Sequence, residues 1–400
     1  IINLDLITND VQLEWNHPDR FELDGMIGVQ YFSQNNDNNP GTGTTPFIPN
    51  YNTGRYSAFI VESKRIGEHI IEGGARFDFE TSNIRGREVS QDVFRDEYSF
   101  SNLTSSLGYI KNYKKNNSFR TSLGTAWRAP NMAELFSFGQ HGFKNSYGLL
   151  RYYYSEEGKM KTDQVIELKE SHVKPEKGFK FINEFKINNK LHSHSVTGYS
   201  HYLLNFIYLR PYGLIGTFRG PQPTFVFDQT DALFLGFDYD WKYEWSRQID
   251  GTFGFSYLWS RNITDEETLI NQPPITVSYK LEWRQKKFLK FKSSRLLVKP
   301  FYRFEQFQAP RTLTPDQLID GEEIITQESE VFDFKAAPDG YFMLKISWDY
   351  EWKSFAGSIA VNNLLNTSYR DYLNEMRYFA DAPGRNILFS LNYKFKNKNK

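Results

Sequence analysis

The sequence predicts an all-β protein, a transmembrane antiparallel β-barrel. Long segments alternate apolar and polar residues, aromatics are abundant without any long apolar run, and short turns exchange with long loops. The alternation is clearest at Tyr341–Trp352, where Phe342, Leu344, Ile346, Trp348, Tyr350 and Trp352 share one face. Lys345, Ser347, Asp349 and Glu351 occupy the other. The same two-faced pattern returns at Leu233–Trp245, Phe253–Trp259 and Ile387–Phe395. Strands of about ten residues exceed the usual 5–6 or so of soluble sheets, and a face of rings opposite a face of charges fits lipid on one side and water on the other. Tyr239, Trp241, Trp348 and Trp352 are therefore expected at the lipid or its interface.

Composition supports this class. Of 400 residues 17% are aromatic, with 25 Tyr, 35 Phe and 8 Trp. Yet the mean hydropathy is −0.60 and no stretch supplies the roughly 20 apolar residues of a spanning helix. A barrel reconciles these facts by displaying its rings in girdles around a polar lumen. Cysteine is absent, which excludes disulfides, thiolate metal sites and thiol nucleophiles. The 48 basic and 48 acidic residues cancel, so no electrostatic footprint for nucleic acid exists. Ile1–Asp10 has no basic region followed by an apolar one, and Ile1 is read as an internal starting point of an exported chain.

Turns set the topology. Short polar turns are expected at Lys114–Asn117, Asn188–Lys190 and Arg247–Gln248. Long loops are expected at Gln34–Asn52, Thr81–Glu97, Pro130–Thr162, Pro211–Pro223, Ala309–Pro338 and Asn366–Pro383. Short turns on one side and long loops on the other match periplasmic and external faces. About fifteen strands result, the first descending over Ile1–Trp15 and the last descending over Asn386–Phe395. Complete bacterial barrels have an even count, so an incomplete sheet with an unpaired edge is expected, the missing strands lying N-terminal.

Trp127–Gly142, reading WRAPNMAELFSFGQHG, resembles the place in TonB-dependent outer-membrane receptors where a strand enters a large external loop. Val173–Lys186, Gly198–Pro211, Asp228–Trp241, Val361–Asn374 and Pro383–Phe395 are similar to later strands of that family in the same order. Residues Pro130, Asn131, Asn362 and Asn363 also read as strand-end punctuation and amide-to-backbone bonding. The resemblance implies about 15 of about 22 strands, with the N-terminal plug domain and the short TonB-contacting box absent from these residues. It implies no cofactor and no catalytic role. The implied partners are the TonB complex acting through the missing plug, small-molecule cargo such as a siderophore, outer-membrane lipid and, as an option, a surface lipoprotein.

Candidate ligand residues fall in the expected loops. His141 is either a loop histidine or a ligand for haem iron or another metal. Arg151, Tyr152, Tyr153 and Tyr154 form a basic and aromatic run able to stack on a catecholate, sugar or porphyrin, or else to pack the loop. Arg210, Tyr212 and Arg219 make a comparable rim. His192 and His194 share one strand face and read as a metal pair or a solvated pair. No nucleophile, base and orienter grouping is visible. Two functions are compatible with this pattern: energy-coupled import of a scarce or bulky nutrient, an iron chelate first, or a passive channel or structural barrel subunit in a larger outer-membrane complex.

Overall fold

The structure, a computed structural model, describes residues 3–20, 22–39, 45–113, 116–217 and 220–395. Fifteen long strands follow one another as an antiparallel meander. They are β1 (Leu4–Arg20), β2 (Leu23–Asn38), β3 (Asn50–Ile66), β4 (His69–Arg87), β5 (Val93–Tyr113), β6 (Asn117–Arg128), β7 (Glu176–Asn188) and β8 (His192–Thr217). The others are β9 (Gly220–Glu244), β10 (Ile249–Asn262), β11 (Thr276–Phe288), β12 (Phe291–Arg303), β13 (Tyr341–Trp352), β14 (Phe355–Asn362) and β15 (Asn386–Tyr393). Each pairs with its sequence neighbours, while among the described residues β1 and β15 do not pair with each other. The sheet is therefore an open trough with two free edges, as the odd strand count predicts, and every residue of β15 is exposed.

Register fixes the two faces, because residues directly opposite in an antiparallel pair point the same way. Leu296, Trp348 and Ile359 align across β12, β13 and β14, as do Val298, Ile346 and Val361. Leu103, Leu107, Leu123, Phe181, Leu235 and Phe237 stand exposed on this convex side. Polar residues line the concave side: Ser57 donates to Asp78 over 2.6 Å and Arg76 Nε reaches the same carboxylate at 2.8 Å. Glu282 sits between Arg284 and Arg295 at 2.5 and 2.8 Å. The apolar face and the polar face are thus the ones the alternation predicts.

Two expected loops are strand instead. At Thr81–Glu97, β4 and β5 continue to a connection of only residues 88–92. Of the polar residues there Ser82 faces inward, fully buried and bonded to Thr53 across 2.7 Å, while Asn83 and Arg85 are exposed. At Pro211–Pro223, β8 and β9 run on as a paired hairpin as far as Thr217 opposite Gly220. Its prolines are tolerated because Pro211 lies at a register shift, and Pro221 and Pro223 precede the stretch of β9 that gains a second neighbour. At the opposite end the turns after β7 and β9 are short, as expected, while Lys114 and Lys115 of the turn expected after β5 lie outside the described residues.

Among the described residues no helix is long and apolar enough to cross a membrane. The described residues contain two short α-helices, α1 (Met132–Phe136) and α2 (Pro315–Ile319), both in external loops. The three buried apolar clusters also involve those loops, not the strands alone.

Candidate functional site

The loop between β6 and β7 is anchored where the sequence motif begins. Trp127 Nε1 donates to Asp78 at 3.1 Å, and Arg128 bridges Glu134 at 2.6 Å and Glu176 at 2.5 Å. Asn131 caps α1: its side chain accepts from the Ala133 and Glu134 amides at 2.9 Å, and Glu134 returns a bond to the Asn131 amide at 2.8 Å. Such a reciprocal box satisfies helix-end donors that would otherwise be orphaned. Leu135 and Phe136 then bury against Tyr51, Ile84 and Tyr98 on the concave face. Gly148 passes so close that a Cβ there would lie 2.4 Å from Leu135 backbone. This approach lets Leu149 and Leu150 donate to Glu134 and Leu135 carbonyls.

Beyond α1 the chain makes a hairpin, Phe138–His141 with Lys144–Tyr147, turned at Gly142 with φ of +66°. Its second strand adds to β9 in parallel, Asn145–Tyr147 against Thr224–Val226. The hairpin tip crosses to the loop between β14 and β15, where Lys144 meets Glu375 at 2.6 Å and Phe143 meets Phe379 at 5.3 Å. A third loop joins them: Asp333 and Arg377 form an ion pair with both side chains 1% exposed, among Phe225, Phe332, Phe334 and Tyr378. Arg377 also lies 4.6 Å over the Tyr372 ring and 4.4 Å over Tyr378. The external loops thus form one cap, tied to the wall by Arg303 and Asp371 at 2.5 Å.

Several expected ligand residues converge beneath this cap, and others do not. Tyr154 accepts from Arg210 at 3.1 Å, Arg210 pairs with Asp228 at 2.6 Å, and Tyr212 Oη accepts the Met160 amide at 3.1 Å. Tyr152 donates to the Phe227 carbonyl at 2.7 Å and packs edge-on to Tyr154. Burial raises both tyrosine pKa values, that of Tyr152 well above the ordinary range. A cavity of about 460 Å³ opens beside them, bordered by Tyr152, Tyr153, Tyr154, His172, Asp228 and Asp231. Arg151 points elsewhere: it is buried 4.2 Å over the Phe138 ring, and burial lowers its pKa to about 10. Arg210 is likewise buried, not an exposed rim cation. His141 stands exposed at the hairpin tip beside Phe47, and Arg219 lies outside the described residues.

His192 and His194 sit half-exposed among convex-face rings. Among the described residues no three His, Cys, Asp or Glu are placed to hold a metal ion. Asn363 behaves as its amide reading expects, exchanging bonds with the Thr367 backbone at 2.8 and 2.9 Å. Sequence reading missed Asp333, Arg377, Lys144 and Glu375, whose partners are too distant in the chain for any spacing to announce. The Asn131 and Glu134 capping spacing is a local signal that the sequence does carry.

A two-faced strand wall with looped-over external ends defines a β-barrel of the outer-membrane receptor class. The chain belongs to the family described as TonB dependent receptor-like, beta-barrel, whose model matches residues 3–364. It is thus a protein of the Gram-negative outer membrane. No curated protein matches it in sequence. Among solved structures it is similar to "Copper transporter OprC", with 16% identity, a TM-score of 0.72, and coverage of 98% of this chain and 57% of that one. It is also similar to the FrpB iron transporter from Neisseria meningitidis, at 13% identity, a TM-score of 0.66 and coverage of 98% and 55%. The siderophore receptor PiuA from Acinetobacter baumannii gives 13%, 0.65, 98% and 56%. This chain spans a little over half the length of these structures.

Proposed function

We propose that the chain is the barrel portion of a receptor that imports a scarce or bulky nutrient, an iron chelate first among cargoes, by TonB-coupled active transport. The TonB complex would act through a plug domain, which these 400 residues do not contain. The observation that carries the reading is the cap: three external loops join over the concave face, and one of them, between β6 and β7, borders an aromatic cavity of about 460 Å³ against β8 and β9. Loops on a rigid barrel vary without disturbing the ladder, which suits them to cargo recognition. The similarity to a copper transporter, an iron transporter and a siderophore receptor supports the class of nutrient.

Within the cap, Tyr153 and Tyr154 would stack on cargo and Tyr212 would extend that surface, while Tyr152, Arg151 and Arg210 would hold it in shape. His141, exposed at the hairpin tip, would serve only a haem or a bare metal. The test is equilibrium binding of a ferric catecholate, a ferric hydroxamate, haemin and cupric ion to the full-length receptor. For the chelate that binds, Tyr153→Ala should weaken affinity by about 1–3 kcal/mol, the worth of a cation or ring stack. Binding lost only in His141→Ala would move the reading to haem or metal. Parent-like binding by Tyr153→Ala, Tyr154→Ala and His141→Ala alike would remove the loops from recognition.

A further inference from the structure

The convex face carries a second cluster that the cap does not use. His192 and His194 open β8 beside the short turn at residues 189–191. Their register partners on β9 are Tyr243 and Trp241, and the next pair on the same side is Val196 with Tyr239. Both histidines therefore face outward with Leu235, Phe237 and Trp241. The rings form a nearly parallel array. His192 and His194 lie 6.0 Å apart at 8°, and Trp241 lies 6.1 and 6.0 Å from them at 7° and 2°. Tyr243 stacks on His192 at 4.6 Å.

The hydrogen bonds fix one proton. Trp241 Nε1 donates to His192 Nδ1 at 3.2 Å, and an indole nitrogen can only donate. Nδ1 of His192 is therefore the acceptor, and the neutral ring carries its proton on Nε2. Nε2 has no protein partner among the described residues. His194 is held similarly, its Nδ1 lying 2.9 Å from Tyr239 Oη. Of the pair only His192 borders the recess of about 250 Å³ under the turn, whose other walls include Lys242 and Glu244 from the concave side. Lys242 and Glu244 satisfy each other at 2.9 Å, whereas Lys190 is exposed and makes no ion pair among the described residues. A donor facing outward at the end of a membrane wall needs an oxygen acceptor, since an unpaired polar group in hydrocarbon costs several kcal/mol or so. At the level of an aromatic belt the acceptors within reach are lipid headgroups and interfacial water.

We propose that His192, His194 and Lys190 form a binding site for the phosphodiester of a phospholipid in the periplasmic leaflet. The site rests on the membrane placement of the wall and is independent of which cargo the cap binds. Phosphate oxygens accept from imidazole N–H and ammonium groups, and the five-ring array presents a flat surface to the glycerol and upper acyl chain.

The experiment counts dioleoylphosphatidylglycerol bound to the full-length receptor in detergent by native mass spectrometry, with dioleoylglycerol as the lipid lacking phosphate. A variant combining His192→Phe, His194→Phe and Lys190→Gln keeps the ring stack and removes the donors. It should lose phosphatidylglycerol affinity at least tenfold and bind dioleoylglycerol like the parent. Lys190→Gln alone, at an exposed turn that folding tolerates, should lose about threefold. Parent-like retention of phosphatidylglycerol by both variants overturns the site. Equal binding of the two lipids by the parent also overturns it, as does displacement of phosphatidylglycerol by micromolar zinc, which would mark the histidines as a metal pair.

Discussion

In the wall, a residue's partner sits across one strand at a register set by a turn, as when Leu296, Trp348 and Ile359 line up through β12, β13 and β14. In the cap, Lys144 meets Glu375 and Asp333 meets Arg377, pairs separated by 231 and 44 residues. The wall is a sum of many equivalent bonds, each replaceable by its neighbour. The cap depends on a few contacts that have no substitute, and one of them is an ion pair withdrawn from water. A mutation should therefore spread its effect along the wall and concentrate it in the cap.

The sharpest test removes the buried cation. Arg377→Ala leaves the Asp333 carboxylate without its counter-charge, which costs about 3–5 kcal/mol for a buried pair. Hydrogen exchange should then rise across residues 305–340 and 363–385 while β12 and β13 stay protected. Arg377 Nε and Nη1 and Asp333 Oδ1 have no partner among the described residues, so the pair is not fully satisfied. Replacing both, with Arg377→Met and Asp333→Leu, should recover most of the protection. Parent-like exchange in Arg377→Ala would break the comparison, because the cap would then be as redundant as the wall.

A smaller effect is expected on the wall itself. Ile346 faces outward between Val298 and Val361, so Ile346→Arg should cost about 2–4 kcal/mol if it sits near the membrane midplane. Ser347→Arg, aimed at the lumen, should cost little. Detergent-folding titrations with the opposite ranking would invert the faces. The smallest effect belongs to the anchor of α1: Asn131→Ala loses the capping box and about 1 kcal/mol, read as faster proteolysis at residues 132–150 with unchanged barrel folding.

The same contrast explains what the sequence made legible. The strand count, the two faces and the short turns follow from a period of two, a signal carried within each segment. Polar stretches misled that reading twice: Ser82 and Asn83 lie on wall strands, and the prolines near 211–223 sit in a tall hairpin. Tyr152 and Tyr154 read as one loop cluster and Arg210 and Tyr212 as another, and residue type alone does not say that the two meet, that Arg210 is neutralised by Asp228 or that Arg151 turns towards Phe138. Those outcomes depend on which loops meet, and no local pattern encodes that.

The β8–β9 hairpin has a mechanical consequence. Its strands hold 26 and 25 residues, about 80 Å of contour at roughly 3.3 Å each. At a tilt of about 40° they rise some 60 Å, against an apolar band about 25 Å tall. The excess stands clear of the lipid as a mast, and the parallel segment Asn145–Tyr147 is stitched along its side like a stay. Whatever approaches the cell from outside meets this mast before it meets the membrane.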